Sequence, residues 1–486
     1  MTDSPLQFLL EAARKTPAAP VMIFPDARYD YQTLLGKVER RAAHLQACGV
    51  GPGVKVAIYS EPDLDTLTSF FAIWGLGGVA IPMNVTLPPA SLRQIEGVFA
   101  PDLGLASDPG APYAPTDIPV HPITDGDTGI ALNAANRDGL AIVMFTSGTS
   151  GVPKAVPITH AMIAANASST AERLGLSAHD RILINTPAYT TSSIIHTLTM
   201  MSAGASVVID RQFSLGGTLL DQIKAYSCTG FGGVPVHFRR LLAALETATD
   251  HAPTLRFLMN SGEHLPVPVV EGLRAFLPEV AIFCVYGLTE VAGRLCILPA
   301  ERLADKLGSV GFPLDGMTVT VRDSQGQELP PGESGEVFVT GANLMAGYLN
   351  NPTANAKSMT ANGFATGDIG YKDEDGFLYL LGRDDDIFKV GGEKVSLNMI
   401  EQAVTGYAAF KDFAAAPYTD PHMGSVPALY YVLADDAPTD WRKTLLKKLR
   451  GSLPKTHIPA HLIAVEAIPR TSSGKAVRKA LAAHTA

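Results

Sequence analysis

Several features that mark particular protein classes are missing from this chain of 486 residues. Its four cysteines have no paired metal-binding spacing and are too few for a disulfide framework in a chain of this length. The net charge of −9 argues against nucleic-acid binding, which would need a basic face. The first residues lack the basic-then-apolar order of a signal peptide, because Glu11 and Lys15 interrupt the apolar positions. We therefore expect a cytoplasmic protein without a nucleic-acid partner.

Long hydrophobic runs and internal repeats are also scarce. The most apolar stretch, residues 67–83, contains three glycines and a proline, so it predicts a buried helix and strand rather than a membrane span. We find no heptad pattern, no repeat of 20–50 residues and no low-complexity run. With 46% hydrophobic and 17% charged residues, the chain can bury a large core, and its length suggests about three domains.

The order of predicted elements indicates the fold class. Short apolar strands alternate with amphipathic helices up to about residue 310, which predicts mostly parallel sheets covered by helices. Alternating strands at 317–322 and 335–339, separated by turn sequences, then predict a small β-rich subdomain over about residues 311–380. The remaining residues return to a helix–strand pattern, and their run of basic residues is more typical of a solvated face than of a binding site.

The most informative segment joins a buried strand to a loop of serine, threonine and glycine. It runs from Met144 to Lys154 with the sequence MFTSGTSGVPK. Glycines at 148 and 151 permit positive φ angles and close backbone approach, so that successive N–H groups can converge on an anion. The order G-x-x-x-x-G-K-[ST] of a Walker A motif is absent, which disfavours a P-loop kinase or ATPase. The residues of this candidate phosphate site are Thr146, Ser147, Gly148, Thr149, Ser150, Gly151 and Lys154.

Five motifs follow one another in the order of a known family, and the sequence resembles the adenylate-forming superfamily over nearly its whole length. This superfamily contains acyl-CoA synthetases, luciferases and peptide-synthetase adenylation domains. The loop is similar to [ST]SG[ST][ST]GxPKG, except that Ala155 replaces the last glycine. The other four motifs are YGLTE at 286–290 (similar to YGxTE), TGD at 366–368, GRDDD at 382–386 (GRxxD) and PRTSSGKAVR at 469–478 (PxTxxGKxxR).

The resemblance implies where ATP and Mg²⁺ bind. The family's metal-binding glutamate corresponds to Glu290, a hard oxygen ligand of the kind that Mg²⁺ prefers. Thr289 is implied to donate to the α-phosphate. The implied adenine contacts are Tyr286, Gly287, Gly262 and Glu263.

The remaining motifs imply the ribose site and a two-domain reaction cycle. Asp368 and Arg383 are implied ribose ligands, and Lys475 is implied to bridge the substrate carboxylate and the α-phosphate during adenylation. The hinge falls on Asp385, and the segment entering the site for thioester formation contains Gly391 and Gly392. The resemblance thus implies an α/β fold in which residues 1–384 form a large N-terminal domain. This domain has two helix-covered, mostly parallel sheets and a small β-barrel subdomain, and residues 385–486 form a small, mobile α+β domain hinged to it.

Three stretches are expected to form the acyl pocket, with candidate residues Tyr189, Thr190, Ser192, Asn260, Ala292, Gly293 and Arg294. Thr190 stands where the family usually has histidine, and it cannot pair the ammonium group of an amino acid, which disfavours amino-acid substrates. Ala292 and Gly293 leave room for a ring. Arg294 either points inward, where it can pair a second anionic group, or points outward into a loop. Together these residues favour a compact, aromatic or functionalised acid over a long fatty chain.

The predicted activity is ATP-dependent conversion of a carboxylic acid to an acyl-adenylate with release of pyrophosphate, followed by transfer to a thiol. CoA is the default acceptor. Alternatives are a stand-alone adenylation enzyme that loads the phosphopantetheine of a carrier protein, adenylation that feeds a non-thioester product, and a silent nucleotide-binding or scaffolding relative. Lys475, Glu290 and the phosphate loop argue against silence. The predicted partners are a small carboxylic acid, ATP with Mg²⁺, and CoA or a carrier protein, and homodimerisation is left open.

Overall fold

The computed structural model describes residues 4–60, 64–111, 113–114, 117–132, 136–146, 153–184, 190–210, 218–248, 254–383, 387–390, 393–420, 423–470 and 476–482. The chain divides into two compact units. The first contains residues 1–265, 269–319 and 339–364, and the second contains residues 266–268, 320–338 and 365–486. The predicted domain boundary after residue 384 and the hinge at Asp385 lie outside the described residues, so both stay predictions.

The helices of the described residues are α1 (Pro5–Lys15), α2 (Tyr31–Ala47), α3 (Leu64–Gly75), α4 (Pro89–Phe99), α5 (His160–Arg173), α6 (Thr191–Ser202), α7 (Leu219–Ala225), α8 (Pro235–Thr247), α9 (Val267–Phe276), α10 (Pro352–Ser358), α11 (Leu397–Val404), α12 (Trp441–Ser452) and α13 (Arg478–Ala482). The strands are β1 (Pro20–Ile23), β2 (Arg28–Asp30), β3 (Lys55–Tyr59), β4 (Val79–Pro82), β5 (Leu103–Ala106), β6 (Val120–Pro122), β7 (Leu140–Thr146), β8 (Lys154–Thr159), β9 (Arg181–Ile184), β10 (Ser206–Ile209), β11 (Gly230–Gly233), β12 (Phe257–Asn260), β13 (Ala281–Leu288), β14 (Gly293–Ile297), β15 (Phe312–Pro313), β16 (Met317–Arg322), β17 (Gly335–Gly341), β18 (Met359–Thr360), β19 (Gly363–Lys372), β20 (Leu378–Arg383), β21 (Ile387–Val390), β22 (Glu393–Ser396), β23 (Phe410–Asp420), β24 (Gly424–Leu433) and β25 (His461–Ala464).

The first unit contains a six-stranded sheet in the order β6-β5-β3-β4-β7-β8. Its strands are parallel except for the antiparallel pair β7 and β8. Because successive side chains of a strand point to opposite faces, Val56 and Ile58 of β3 join one hydrophobic cluster while Ala57 and Tyr59 join another under α4. Both faces are therefore covered, which explains why these strands are apolar throughout.

A nine-stranded sheet in the order β15-β14-β13-β12-β11-β9-β10-β1-β2 completes the described core of this unit. Neighbouring strands within the run β13-β12-β11-β9-β10-β1 are parallel. At the two edges of the sheet, β2 pairs antiparallel with β1, β14 with β13, and β15 with β14. One hydrophobic cluster contains residues of both sheets and most of α3. Within it the indole N–H of Trp74 donates to the carbonyl of Ala141 at 2.7 Å, so the polar atom of this buried ring is satisfied. The prediction of mostly parallel, helix-covered sheets is confirmed.

The β-rich part forms a five-stranded sheet in the order β16-β17-β19-β18, with β20 beside β19. In β16, buried positions alternate with more exposed ones, as expected for a sheet with one covered face. This sheet corresponds to the small β subdomain that the sequence predicts.

The last part of the second unit is α+β, as predicted. Strands β23, β24 and β25 form a sheet, and β21 pairs with β22. Leucines of α11 and α12 pack against one face of β23 and β24, while Leu481 of α13 packs against the other. None of the described helices is long and apolar enough to cross a bilayer.

Candidate active site

The strands β7 and β8 carry both ends of the predicted phosphate loop. They pair antiparallel with Thr146 opposite Lys154, so the residues between them must return to the same edge of the sheet. Ala155, which replaces the family glycine, is fully buried in β8 within the cluster under α4, so its methyl group has a packed place. The predicted loop residues Ser147, Gly148, Thr149, Ser150 and Gly151 lie outside the described residues.

Lys154 and Glu290 both contact Tyr348, the lysine at the face of the ring and the glutamate at the hydroxyl. The ammonium of Lys154 lies 4.7 Å from the centroid of the Tyr348 ring, and the Tyr348 hydroxyl donates to Glu290 Oε1 at 2.7 Å. Tyr348 is 5% exposed and Glu290 is 8% exposed. Within the described part of the chain, neither Lys154 nor Glu290 takes part in an ion pair. Both charges therefore remain free to act on a ligand.

Glu290 fits the implied magnesium ion. It is a buried carboxylate with one oxygen bound to a hydroxyl and no basic side chain paired with it among the described residues. The described residues contain no cluster of three or more side chains able to hold a metal ion. Mg²⁺ at nucleotides usually binds one or two protein carboxylates and completes its coordination with phosphate oxygens and water, and the carboxylate of Glu290 fits this pattern.

The turn that carries Glu290 depends on two glycines and one left-handed alanine. Tyr286 and Gly287 lie near the end of β13, whose last residue is Leu288; a short 3₁₀ turn covers Thr289–Val291, and β14 starts at Gly293. A Cβ atom on Gly287 would lie 2.2 Å from the Gly293 carbonyl oxygen, so the two strands approach this closely only with glycine. Ala292 has a φ of 60°, a conformation that an alanine adopts only at a cost in energy.

The side chain of Asn166 in α5 fixes this turn through hydrogen bonds to its backbone. Its side-chain amide donates to the carbonyls of Val291 at 3.3 Å and Arg294 at 2.6 Å, and its oxygen accepts from the Arg294 N–H at 3.2 Å. Asn166 is fully buried, so these bonds supply partners that water cannot. On the other side of the turn, the hydroxyl of Thr289 lies 3.2 Å from that of Thr191 at the start of α6.

Arg294 points inward and has no counter-ion among the described residues. It is 4% exposed, and its Nη1 makes a long hydrogen bond of 3.4 Å to the Thr199 hydroxyl. Its Nε and Nη2 have no hydrogen-bond partner among the described residues. Burial lowers the pKa of Arg294 to about 9, because the charged form is poorly solvated there. The alternative of an outward arginine is excluded, whereas its role as a substrate ligand stays a prediction.

His196 of α6 is a neutral neighbour of this arginine. Its Nδ1 lies 2.6 Å from the Ser192 carbonyl, which can only accept, so Nδ1 carries the proton and Nε2 is an acceptor. Burial first, and then the charge of Arg294, hold the pKa of His196 well below its usual value. Nε2 has no partner among the described residues, and a Cβ on Gly232 would lie 2.6 Å from it.

The other described residues of the candidate acyl pocket lie at the start of α6 and at the end of β12. The Ser192 hydroxyl lies 3.1 Å from that of Ser261. Asn260 donates from Nδ2 to the Glu263 carbonyl at 2.8 Å, which fixes the turn containing Gly262 at a φ of 84°. Thr190 accepts from the Ser193 N–H at 3.3 Å, so its hydroxyl caps the helix α6.

The two implied ribose ligands are neighbours on paired strands of the second unit. Asp368 of β19 lies opposite Arg383 of β20, and Arg383 Nε is 3.7 Å from Asp368 Oδ1. Arg383 also donates from Nη2 to the Thr366 carbonyl at 3.0 Å. The Arg383 side chain is 51% exposed, so this ion pair contributes under about 1 kcal/mol to stability, whereas the Asp368 side chain is only 13% exposed. Tyr189, Asp385, Gly391, Gly392 and Lys475 lie outside the described residues.

Three residues of this site were missed by sequence reasoning. Tyr348, His196 and Asn166 belong to none of the motifs. The residues of the site that Tyr348 and Asn166 contact, Glu290 and Arg294, lie far from them in the sequence. Burial and then the charge of Arg294 lower the pKa of His196, and Arg294 is far from this residue in the sequence as well. The only sequence signal for Tyr348 is its place after Gly347, shortly before the turn residues Asn350, Asn351 and Pro352.

Comparisons with known proteins agree with this geometry. The sequence model for AMP-binding enzymes matches residues 9–349, and the model for the AMP-binding enzyme C-terminal domain matches residues 399–475. The chain is 30% identical to a 2-succinylbenzoate–CoA ligase of Bacillus licheniformis, over 99% of this chain and 100% of that protein. It is 28% identical to a feruloyl-CoA synthase of Amycolatopsis, over 96% of each.

A solved structure confirms the fold. The o-succinylbenzoate CoA synthetase of Bacillus subtilis, in complex with its acyl-adenylate intermediate, superposes with a TM-score of 0.88 at 28% identity, covering 98% of this chain and 97% of that one. The matched sequence models span most of the chain, including the strands and turns that hold Lys154 and Glu290. The chain therefore belongs to the family of AMP-binding enzymes.

Proposed function

We propose that this chain is an AMP-forming acid–CoA ligase whose acid is compact, aromatic and carries a second anionic group. The observation that supports this acid class is Arg294, a buried arginine with two N–H-bearing nitrogens left unpaired among the described residues. An unpaired buried charge costs several kcal/mol, and a substrate anion would offset that cost. The relatives are named for 2-succinylbenzoate, which has two carboxylates on an aromatic skeleton, and for the aromatic acid of feruloyl-CoA.

In the first half-reaction, a carboxylate oxygen of the acid bonds to the α-phosphorus of ATP, and the bond from this phosphorus to the bridging oxygen breaks. Pyrophosphate leaves with the electron pair of that bond. Thr289 donates a hydrogen bond to the α-phosphate, and Lys154 attracts the phosphate oxygens, so that negative charge is stabilised as it redistributes. When bound at Glu290, Mg²⁺ supplies further positive charge to the phosphates.

In the second half-reaction, the thiol sulfur of CoA bonds to the acyl carbon. The bond from this carbon to the adenylate oxygen breaks, AMP leaves, and the thiol proton passes to solvent. The segment with Gly391 and Gly392 is the proposed entrance for the thiol, and Asp385 is the proposed hinge between the two half-reactions. Lys475 acts in the first half-reaction only, where its charge bridges the acid and the α-phosphate.

The test is pyrophosphate release from the purified full chain, over a matched panel of acids with and without CoA. The panel pairs each dicarboxylic aromatic acid with the monocarboxylic acid of the same skeleton, and mass spectrometry identifies the thioester. We expect acid-dependent pyrophosphate, and at least tenfold higher kcat/KM for the dicarboxylic partner of the best pair, from the charge-assisted bonds to Arg294. Equal kcat/KM within every pair would overturn the acid class, whereas no acid-dependent pyrophosphate would overturn the activity.

The same assay separates the proposed acceptor from its alternatives. Product formed with a phosphopantetheinylated carrier protein and not with CoA would move the chain to carrier loading, and amide or other products would indicate a non-thioester fate. We propose a cytoplasmic location, supported by the four free thiols, which all lie in the described part of the chain. Homodimerisation is a further proposal, which light scattering of the full chain tests.

A further inference from the structure

One short segment ties the strand of Lys154 to the turn of Glu290. At one end of the segment 345–349, the Met345 N–H donates to the Glu290 carbonyl at 2.9 Å. At the other end, the Leu349 N–H donates to the Ala155 carbonyl at 3.0 Å. The segment therefore spans the distance between the two charged residues and is fixed at both ends by backbone hydrogen bonds.

Tyr348 is held rigidly within this segment. Its N–H donates to Asn355 Oδ1 at 2.7 Å, and its carbonyl accepts from Asn355 Nδ2 at 2.9 Å. The edge-to-face contact with Phe364, with centroids 6.4 Å apart, packs its ring. Backbone and ring are therefore both constrained, and the ring face and the hydroxyl have fixed directions.

We propose that Tyr348 is a positioning residue of the nucleotide and metal site, an inference that rests on the proposed function. Its ring face holds the ammonium of Lys154, and its hydroxyl fixes one oxygen of Glu290. The other carboxylate oxygen then has a defined direction for a cation, and Lys154 keeps its charge for the phosphates.

The tyrosine also keeps two opposite charges apart. A direct pair of Lys154 and Glu290 would satisfy each charge with the other and weaken both as ligands of Mg²⁺ and phosphate. Because Tyr348 offers each of them a separate partner, the site is assembled before ATP arrives, and less conformational entropy is lost on binding.

Three variants of the full chain separate these contributions. Tyr348→Phe removes the hydroxyl and keeps the ring, whereas Tyr348→Leu removes both. Phe364→Leu is the matched control, because it changes the packing beside Tyr348 without touching either charged residue. Calorimetry measures the Kd of a non-hydrolysable ATP analogue, once in EDTA and once over a Mg²⁺ titration, and melting temperatures check that each variant is folded.

We expect Tyr348→Phe to raise the half-saturating Mg²⁺ concentration about tenfold, from the lost hydrogen bond to a carboxylate, with the Kd in EDTA unchanged. Tyr348→Leu should also raise the Kd in EDTA several-fold, because Lys154 loses the ring face. Phe364→Leu should change both quantities less than the tyrosine variants do, because the hydroxyl and ring of Tyr348 remain and Asn355 still holds its backbone. In steady-state assays, Tyr348→Phe should regain wild-type kcat at saturating Mg²⁺.

Two outcomes overturn the inference alone. The first is a Tyr348→Phe variant with wild-type Mg²⁺ dependence, and the second is a Phe364→Leu variant whose losses equal those of both tyrosine variants, which would indicate a packing role. Wild-type protein that fails to bind the ATP analogue would instead overturn the proposed function, and the inference with it.

Discussion

Replacing Arg294 by methionine should increase the free energy of unfolding of the free protein and raise the KM of the enzyme for its acid. Methionine keeps the length of the side chain and removes the charge. Among the described residues, that charge has a single side-chain hydrogen bond, a long one of 3.4 Å to Thr199. Removing an unpaired buried charge should stabilise the free protein by about 1–4 kcal/mol. Losing its bonds to a substrate anion should raise the KM of the best acid about ten- to hundredfold, equivalent to about 1.5–3 kcal/mol.

Arg41 provides the matched control. It is as buried as Arg294, with 2% exposure, but it is paired with Asp65 and Asp125 at 2.8 Å each. Arg41→Met removes a partner from Asp65, whose side chain is 44% exposed, and from Asp125, which keeps Lys37 at 3.2 Å, so solvent and Lys37 offset part of the loss and the protein should be destabilised by about 1–3 kcal/mol. Its KM for the acid should stay at the wild-type value, because none of its partners belongs to the candidate pocket.

The assay is thermal unfolding of wild type and both variants, each with and without the best acid of the panel, together with acid-dependent pyrophosphate release. We expect the melting temperature of the free protein to rise in Arg294→Met and to fall in Arg41→Met. The acid should raise the melting temperature of wild type and have little effect on Arg294→Met. A fall in the melting temperature of free Arg294→Met, with unchanged KM, would show that Arg294 is a structural residue and refute the reasoning.

Three further predictions concern residues that the resemblance assigns. Lys475→Ala should lose about two to four orders of magnitude in adenylation and keep thioester formation from supplied acyl-adenylate; equal losses in both half-reactions, measured by rapid quench, would contradict its assignment. Asp385→Pro fixes φ and removes an N–H, so single-turnover adenylation should persist while multiple turnover collapses, and normal thioester synthesis would rule out a hinge there. Asp368→Asn should raise the KM of ATP about tenfold and abolish the preference for ATP over 2′-deoxy-ATP, because only the carboxylate accepts strongly from the ribose hydroxyl; a preserved preference would remove Asp368 from the ribose site.

The parts of the fold that local patterns determine were predictable from the sequence. The stretch at 67–83 is a helix, α3, followed by a buried strand, β4, as its glycines and proline indicate. Strand β7 ends at Thr146, where the predicted phosphate loop begins, since a run of apolar residues ends where serine, threonine and glycine begin. These features depend on neighbouring residues only.

The orientation of Arg294 could not be decided in this way. Two small residues before it allow either direction, and the outcome depends on the pairing of Gly287 with Arg294 across the β13–β14 hairpin. That register places the guanidinium toward α6, where Thr199 lies. The role of Tyr348 was invisible for a similar reason, because its hydroxyl bonds to a residue 58 positions away.

The hydrogen bonds of Asn166 to the turn that carries Glu290 affect how substitutions can change the acid selectivity of the enzyme. One amide holds the backbone of both Val291 and Arg294, so Glu290 and the candidate pocket residue Arg294 share a single short turn. Substitutions in this turn that reshape the pocket will also displace Glu290, and gains in acid selectivity will be accompanied by losses in ATP use. Among the described residues, Ser192 and His196 of α6 make no hydrogen bond to this turn. Libraries that vary these two positions, and keep Thr191 because its hydroxyl lies 3.2 Å from that of Thr289, should therefore yield altered selectivity with normal ATP kinetics more often than libraries that vary the turn.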